Sequence, residues 1–135
     1  DLLVTAGGKN VAPGPLEEQI RAHQLVEHAV VVGDDRPFIS ALVTLDPEGL
    51  ENWYSERGLP SRSIREACAD PQVAGALQGA VDQANLLVSK AESIRKFTVL
   101  DTEFTVGSGH LTPSLKVKRN IVVRDFEAEI NSLYA

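Results

Sequence analysis

The chain has 135 residues, 43% of them hydrophobic, and a formal charge of -6 at neutral pH. That length holds one domain around a single core and too little for two, and a negative surface disfavours nucleic acid as a partner unless a local basic patch overrides the mean. The single cysteine, Cys68, excludes an internal disulfide framework, and no apolar run reaches the ~20 residues of a membrane-crossing helix, so a cytoplasmic location is expected.

Asp1 to Val4 begins as if inside a strand, which is expected of a piece of a longer polypeptide. Leu2 to Val4 and a short run around Val11 flank Gly7 and Gly8, a turn signal for a small antiparallel hairpin. Pro13 and Pro15 end that strand and open a short helix reaching about His23, with Leu16 and Ile20 on one face and Glu17 and Glu18 near its N-terminus. Val26 to Val32 and Phe38 to Leu45 are β-rich runs stopped by Gly33 and by Asp46-Pro47, and they are expected to pair as a central hairpin.

Helical spacing then takes over. Leu50, Trp53 and Tyr54 share one face of a helix, and Ile64 and Cys68 one face of a second, beyond Gly58 and Pro60. Asp70 caps a long helix with Pro71 in its first turn, and Val73, Leu77, Ala80, Val81, Ala84 and Leu87 form its apolar stripe. Phe97 to Leu100 returns to strand, a loop follows around Gly107 to Gly109, and a last helix carries Val122, Phe126, Ile130 and Leu133. The order predicts an α+β fold over residues 1–135: an N-terminal hairpin, a central antiparallel sheet of about three strands, helices packed on it and a C-terminal helix.

Two segments stand apart from this packing pattern. Leu111 to Arg119 gathers Lys116, Lys118 and Arg119 close to the end of an acidic chain. If Leu115 to Lys118 is extended, both lysines project to one side while Leu115 and Val117 anchor the other. Such a segment presents an ammonium to an anion, or simply forms a solvated basic edge that discourages strand aggregation. Thr5 to Pro13 holds Gly7, Gly8 and Lys9, which lack the Gly-x-x-x-x-Gly-Lys-Ser/Thr spacing of a phosphate loop. Paired glycines let a slim ligand approach closely, or simply make a turn. His23, His28 and His110 show no metal-ligand spacing and receive no role; Cys68 reads as a core residue and Trp53 with Tyr54 as packing anchors. No metal site is expected.

Taken together, Asp1 to Glu17 and Leu111 to Arg119 resemble two motifs of the adenylate-forming enzymes, specifically the long-chain fatty acyl-CoA synthetases, and the resemblance spans nearly the whole chain. It implies the small, mobile C-terminal domain of a ligase that forms acyl-AMP from ATP and a fatty acid, then transfers the acyl group to coenzyme A. Lys116 aligns with the family's adenylation lysine, with Lys118 as the fallback; Gly7, Gly8 and Lys9 align with the hairpin that serves the coenzyme A tunnel after the domain rotates. The resemblance further implies ATP, coenzyme A and Mg2+ as cofactors of the full enzyme, the N-terminal domain of the same polypeptide as partner, peripheral membrane association of that enzyme as an option, and no ligase activity in this domain alone. A free-standing α+β interaction or ligand-sensing module without catalysis is the alternative, and a small RNA-binding domain a weaker third.

Overall fold

The computed structural model describes residues 1–135. A two-stranded ribbon, β1 (Leu3–Val4) with β2 (Asn10–Val11), is followed by α1 (Pro13–Arg21), then β3 (Val26–Val32) and β4 (Ile39–Leu45). Three helices come next: α2 (Pro47–Glu56), the single turn α3 (Ile64–Ala67) and α4 (Pro71–Asn85). Strand β5 (Ile94–Leu100) completes a three-stranded sheet ordered β3-β4-β5, and α5 (Arg119–Asp125) and α6 (Glu127–Leu133) close the chain.

The predicted hairpin of β3 and β4 forms with antiparallel register, Val30 opposite Leu42. The third strand corrects the expected antiparallel sheet, because β5 runs parallel to β4 with Leu42 opposite Thr98. Antiparallel neighbours can be joined by a tight turn, whereas parallel ones need a long crossover; α2, α3 and α4 are that crossover. The start of β5 is pinned to the end of α4 by the Asn85 side chain, whose Nδ2 donates to the Ile94 carbonyl at 2.9 Å and whose Oδ1 accepts the Ile94 amide at 2.8 Å.

Both faces of the sheet are covered, which is why its central strands read as unbroken apolar runs instead of alternating ones. Val31, Ala41 and Val43 face a large core with Leu16, Ile20, Trp53, Tyr54, Val73 and Leu77 from α1, α2 and α4. Val30, Val32 and Leu42 face a smaller one with Phe104, Leu111, Val122, Phe126 and Ile130. Helix α2 approaches the α1–β3 turn so closely that a Cβ on Gly49 would stand 2.0 Å from the Gln24 carbonyl oxygen, so only glycine fits there.

Asp70 caps α4 as predicted, accepting the Gln72 amide at 2.9 Å, and it also accepts the Tyr54 hydroxyl at 2.7 Å. Burial, then that bond, pushes the Tyr54 phenol up to about 12. Cys68 is half-buried against the large core and burial raises its thiol, as suits a packing residue. Leu87, expected on the α4 stripe, instead lies beyond the helix end and is exposed. The expected last helix is two, broken at Phe126 (φ -110°, ψ 28°), although its apolar face stays intact because Phe126 turns in against Phe104 and His110. No helix is long and apolar enough to cross a membrane.

Candidate functional site

The basic segment is a tight loop and not an extended edge. Leu111 and Val117 form an isolated antiparallel bridge, and between them the Thr112 amide donates to the Lys116 carbonyl at 2.8 Å while the Leu115 amide donates to the Thr112 carbonyl at 2.8 Å. The Thr112 hydroxyl accepts the Lys116 amide at 3.1 Å. Closing so short a turn drives Leu115 into the left-handed region at φ 66° and leaves its side chain 59% exposed. The expected anchoring pair is therefore corrected: Leu115 points away from the core, and Leu111 with Val117 supplies the apolar attachment.

Lys116 and Lys118, both exposed, do not share one setting. Lys116 lies on the wall of a polar cleft of about 630 Å³, together with Glu17, Arg21, His28, Ser114 and Arg119; Lys118 is outside that cleft, at the N-cap of α5. His28 is buried on the cleft side, and burial first and Arg21 second hold its imidazole below the ordinary histidine range. An uncharged imidazole beside two guanidinium groups and an ammonium leaves a cleft whose free charge comes from Lys116 and Arg21, opposed by Glu18.

Arg119, the third cation of the segment, is not available to a ligand. Its guanidinium grips Glu17 with two nitrogens, Nη1 to Oε2 at 2.7 Å and Nη2 to Oε1 at 2.8 Å, and Nη1 also donates to the Val31 carbonyl at 2.8 Å. Glu17 Oε2 in turn accepts the Val31 amide at 2.7 Å. One bidentate pair thus ties the first residue of α5 to α1 and to the edge of β3. Its Nε faces Asp1 at 3.7 Å, beyond hydrogen-bond reach. In the sequence Arg119 stands with the two lysines; what separates it from them in the fold is Glu17, a carboxylate inside the other motif.

The glycine pair forms the predicted hairpin turn. The Thr5 amide donates to the Lys9 carbonyl at 3.0 Å, the Gly8 amide to the Thr5 carbonyl at 2.9 Å, and the Thr5 hydroxyl accepts the Lys9 amide at 3.0 Å. Gly8 sits at φ 85°, which glycine takes without strain, while Gly7 has an ordinary φ and free space around it. The turn is held from below by the Ala6 amide donating to the Arg36 carbonyl at 2.9 Å and the Asp35 amide donating to the Val4 carbonyl at 2.9 Å. Lys9 reaches Glu92 at 3.8 Å, a partly exposed pair of small energetic weight. Gly7, Gly8 and Lys9 do not line the cleft of Lys116, so the structure keeps the two predicted groups apart. No three His, Cys, Asp or Glu side chains converge to fit a metal ion.

The chain is similar to known proteins in sequence and in fold. The family described as AMP-binding enzyme C-terminal domain matches residues 1–135. The long-chain-fatty-acid--CoA ligase FadD15 of Mycobacterium tuberculosis is 50% identical over 99% of the chain and 22% of its own length. The long-chain-fatty-acid--CoA ligase ACSBG2 of Gallus gallus is 33% identical over 100% of the chain and 20% of its own. Among solved structures, the adenylation domain of a carboxylate reductase from Mycobacterium chelonae superposes with a TM-score of 0.70 at 27% identity, covering 98% of this chain and 19% of that one. The chain spans about a fifth of the length of these relatives. With its ribbon, mixed sheet and six helices, it belongs to the family of C-terminal domains of AMP-binding, adenylate-forming enzymes.

Proposed function

We propose that the chain is the mobile C-terminal domain of a long-chain fatty acid-CoA ligase, and that its partner is an N-terminal domain of the same polypeptide which holds ATP and the acyl chain. The observation that carries this reading is Lys116: a cation without an ion-pair partner, presented at the wall of a polar cleft by a loop fixed at both ends. It is supported by the ligases among the relatives, which match across the whole chain.

In the first step a fatty-acid carboxylate oxygen attacks the α-phosphorus of ATP, a new O–P bond forms, and the bridging P–O bond breaks to release pyrophosphate. The Lys116 ammonium, placed against the carboxylate and phosphate oxygens, stabilises the negative charge shared between them during in-line transfer. Mg2+ arrives with ATP in such a reaction, and no cluster in this chain fits the ion. In the second step the coenzyme A thiol, having given its proton to solvent, attacks the acyl carbon as the thiolate, the C–S bond forms and the C–O bond breaks, with AMP leaving as its phosphate anion. Here the domain has rotated, and Gly7 and Gly8 offer bare backbone to the pantetheine arm, with Lys9 near its anionic end.

The test is made in the full-length enzyme carrying this domain. Lys116→Ala lowers pyrophosphate exchange into ATP by roughly 10²–10³-fold, the usual worth of one charge-stabilising donor, and leaves thioesterification of supplied acyl-adenylate within about threefold of wild type. Lys118→Ala stays within about threefold in both assays. Wild-type exchange by the Lys116 variant would refute the assignment.

A further inference from the structure

The ring of His110, next to the lysine loop, is bonded at both of its nitrogens. It is buried, with Nδ1 2.9 Å from the Ser108 hydroxyl and Nε2 2.9 Å from Asp125 Oδ2, and it packs against the Phe104 and Phe126 rings at centroid distances of 5.1 and 5.4 Å. The carbonyl of the same residue accepts the Lys118 amide at 2.8 Å, one step outside the Leu111–Val117 bridge. The peptide that closes the base of the loop is therefore fixed through its own side chain to two other places: the turn at 105–109 and the last residue of α5.

A serine, a histidine and an aspartate in a row invite comparison with a hydrolytic relay. Ser108 argues against it. Its hydroxyl oxygen also accepts the Thr105 amide at 3.1 Å and donates to the Thr105 carbonyl at 3.0 Å, so it is a fixture of its turn and not a free nucleophile. The Asp125 carboxyl is held low by its bond to His110 first and to Arg124 second, which keeps an acceptor in place for the ring. Ser108, His110 and Asp125 hold the chain before and after the loop at a fixed separation, while Arg119 and Glu17 hold its far side.

We propose that His110 is the positioning residue of the Lys116 loop: through Ser108 and Asp125 it fixes the peptide on which the loop closes, and so sets where the ammonium stands. This rests on the reading of Lys116 as the adenylation lysine. A group that must meet a transferring phosphate is sensitive to displacements of about 1 Å, each costing up to about 10²-fold, so a residue that never touches substrate can govern the rate.

Two measurements on the full-length enzyme decide it. His110→Ala is expected to lower pyrophosphate exchange by roughly 10–10²-fold while thioesterification of supplied acyl-adenylate changes less than about threefold; Ser108→Ala and Asp125→Ala, which keep the ring and each take away one of its two partners, give smaller losses in the same half-reaction. In parallel, amide hydrogen exchange followed by mass spectrometry is expected to speed up in residues 110–118 of His110→Ala and to remain slow in β3 and β4. Equal loss of both half-reactions, or loosening that spreads through the sheet, overturns the proposal by making His110 a general packing residue. Unchanged exchange in 110–118 overturns it as well. If His110→Ala does not fold, the Ser108 and Asp125 variants carry both measurements. Lys116→Ala, run alongside, separates the failures: wild-type turnover there sinks the ligase reading, while the hydrogen-exchange comparison needs no turnover and still decides whether His110 holds the loop.

Discussion

The two exposed loops of this domain, the glycine hairpin between β1 and β2 and the lysine loop before α5, are built with different means. The hairpin is braced mainly by backbone: Thr5 to Lys9, Ala6 to Arg36 and Asp35 to Val4, with two local side-chain bonds, the Val4 amide to Asp34 and the Lys9 amide to the Thr5 hydroxyl, both at 3.0 Å. The lysine loop closes on backbone bonds too, but its base is pinned in addition by long-range side-chain bonds, Arg119 to Glu17 on one side and His110 to Asp125 on the other. The difference follows from what each would present. A loop that offers bare backbone can be fixed by backbone alone, because the surface it shows and the groups that hold it are the same kind. A loop that must aim one long, flexible ammonium needs its base fixed against rotation, and charged or imidazole pins do that with directional bonds.

The largest way to break the contrast is to remove a pin. Arg119→Ala leaves Glu17 less than a fifth exposed, with only the Val31 amide as partner. Breaking a buried pair costs 3–5 kcal/mol, and the partial exposure of this one brings the expected loss to about 2–3 kcal/mol. Urea unfolding of the 135-residue chain reads it directly. A double-mutant cycle with Glu17→Ala should recover a coupling of about 2 kcal/mol; a coupling below about 0.5 kcal/mol would mean the pair is decoration.

A smaller effect separates geometry from ligand access in the hairpin. Gly8→Ala forces a side chain into the left-handed region and should cost about 1 kcal/mol of stability. A Cβ at Gly7 meets only the Thr5 hydroxyl, at 4.0 Å, with an ordinary φ, so Gly7→Ala should be neutral within about 0.5 kcal/mol. In the full enzyme both should slow thioesterification roughly tenfold, the worth of 1–3 kcal/mol of overpacking in a narrow channel. Gly7 is the cleaner probe, since a rate loss there cannot be charged to instability. Normal thioesterification by Gly7→Ala would leave the glycine pair as a turn and nothing more.

How far the sequence reveals this depends on how local each determinant is. The β3–β4 hairpin, the Asp70 cap with Pro71 and the Gly7-Gly8 turn are written in adjacent residues and are legible. The parallel docking of β5 is not, because the partner of Phe97 is Ala41, on the far side of three helices. Arg119 and Glu17 are 102 residues apart, so a basic run looks uniformly free until the fold brings a carboxylate to one of its members. His110 shows no metal-ligand spacing, and its bond to Asp125 crosses fifteen positions into a helix whose break at Phe126 no periodicity reveals. The motif resemblance located both loops; it carried no information on what holds them.

The smallest expected effect tests the lysine loop from within. Leu115 is the loop's one non-glycine residue at positive φ, and its side chain is mostly in solvent. A left-handed L-residue costs about 1–2 kcal/mol, and glycine returns about 0.5–1 kcal/mol of that through its greater loss of chain entropy on folding. Leu115→Gly should therefore stabilise the isolated chain by about 0.5 kcal/mol, read as a rise in the urea midpoint with an unchanged slope. In the full enzyme the same change should slow pyrophosphate exchange, because the residue next to Lys116 gains freedom just where the pins remove it. A chain made more stable and an enzyme made slower by one substitution is the signature of strain kept for positioning. If Leu115→Gly lowered stability, the exposed leucine would be holding the loop by contact, and the pins at its two ends would no longer account for its shape.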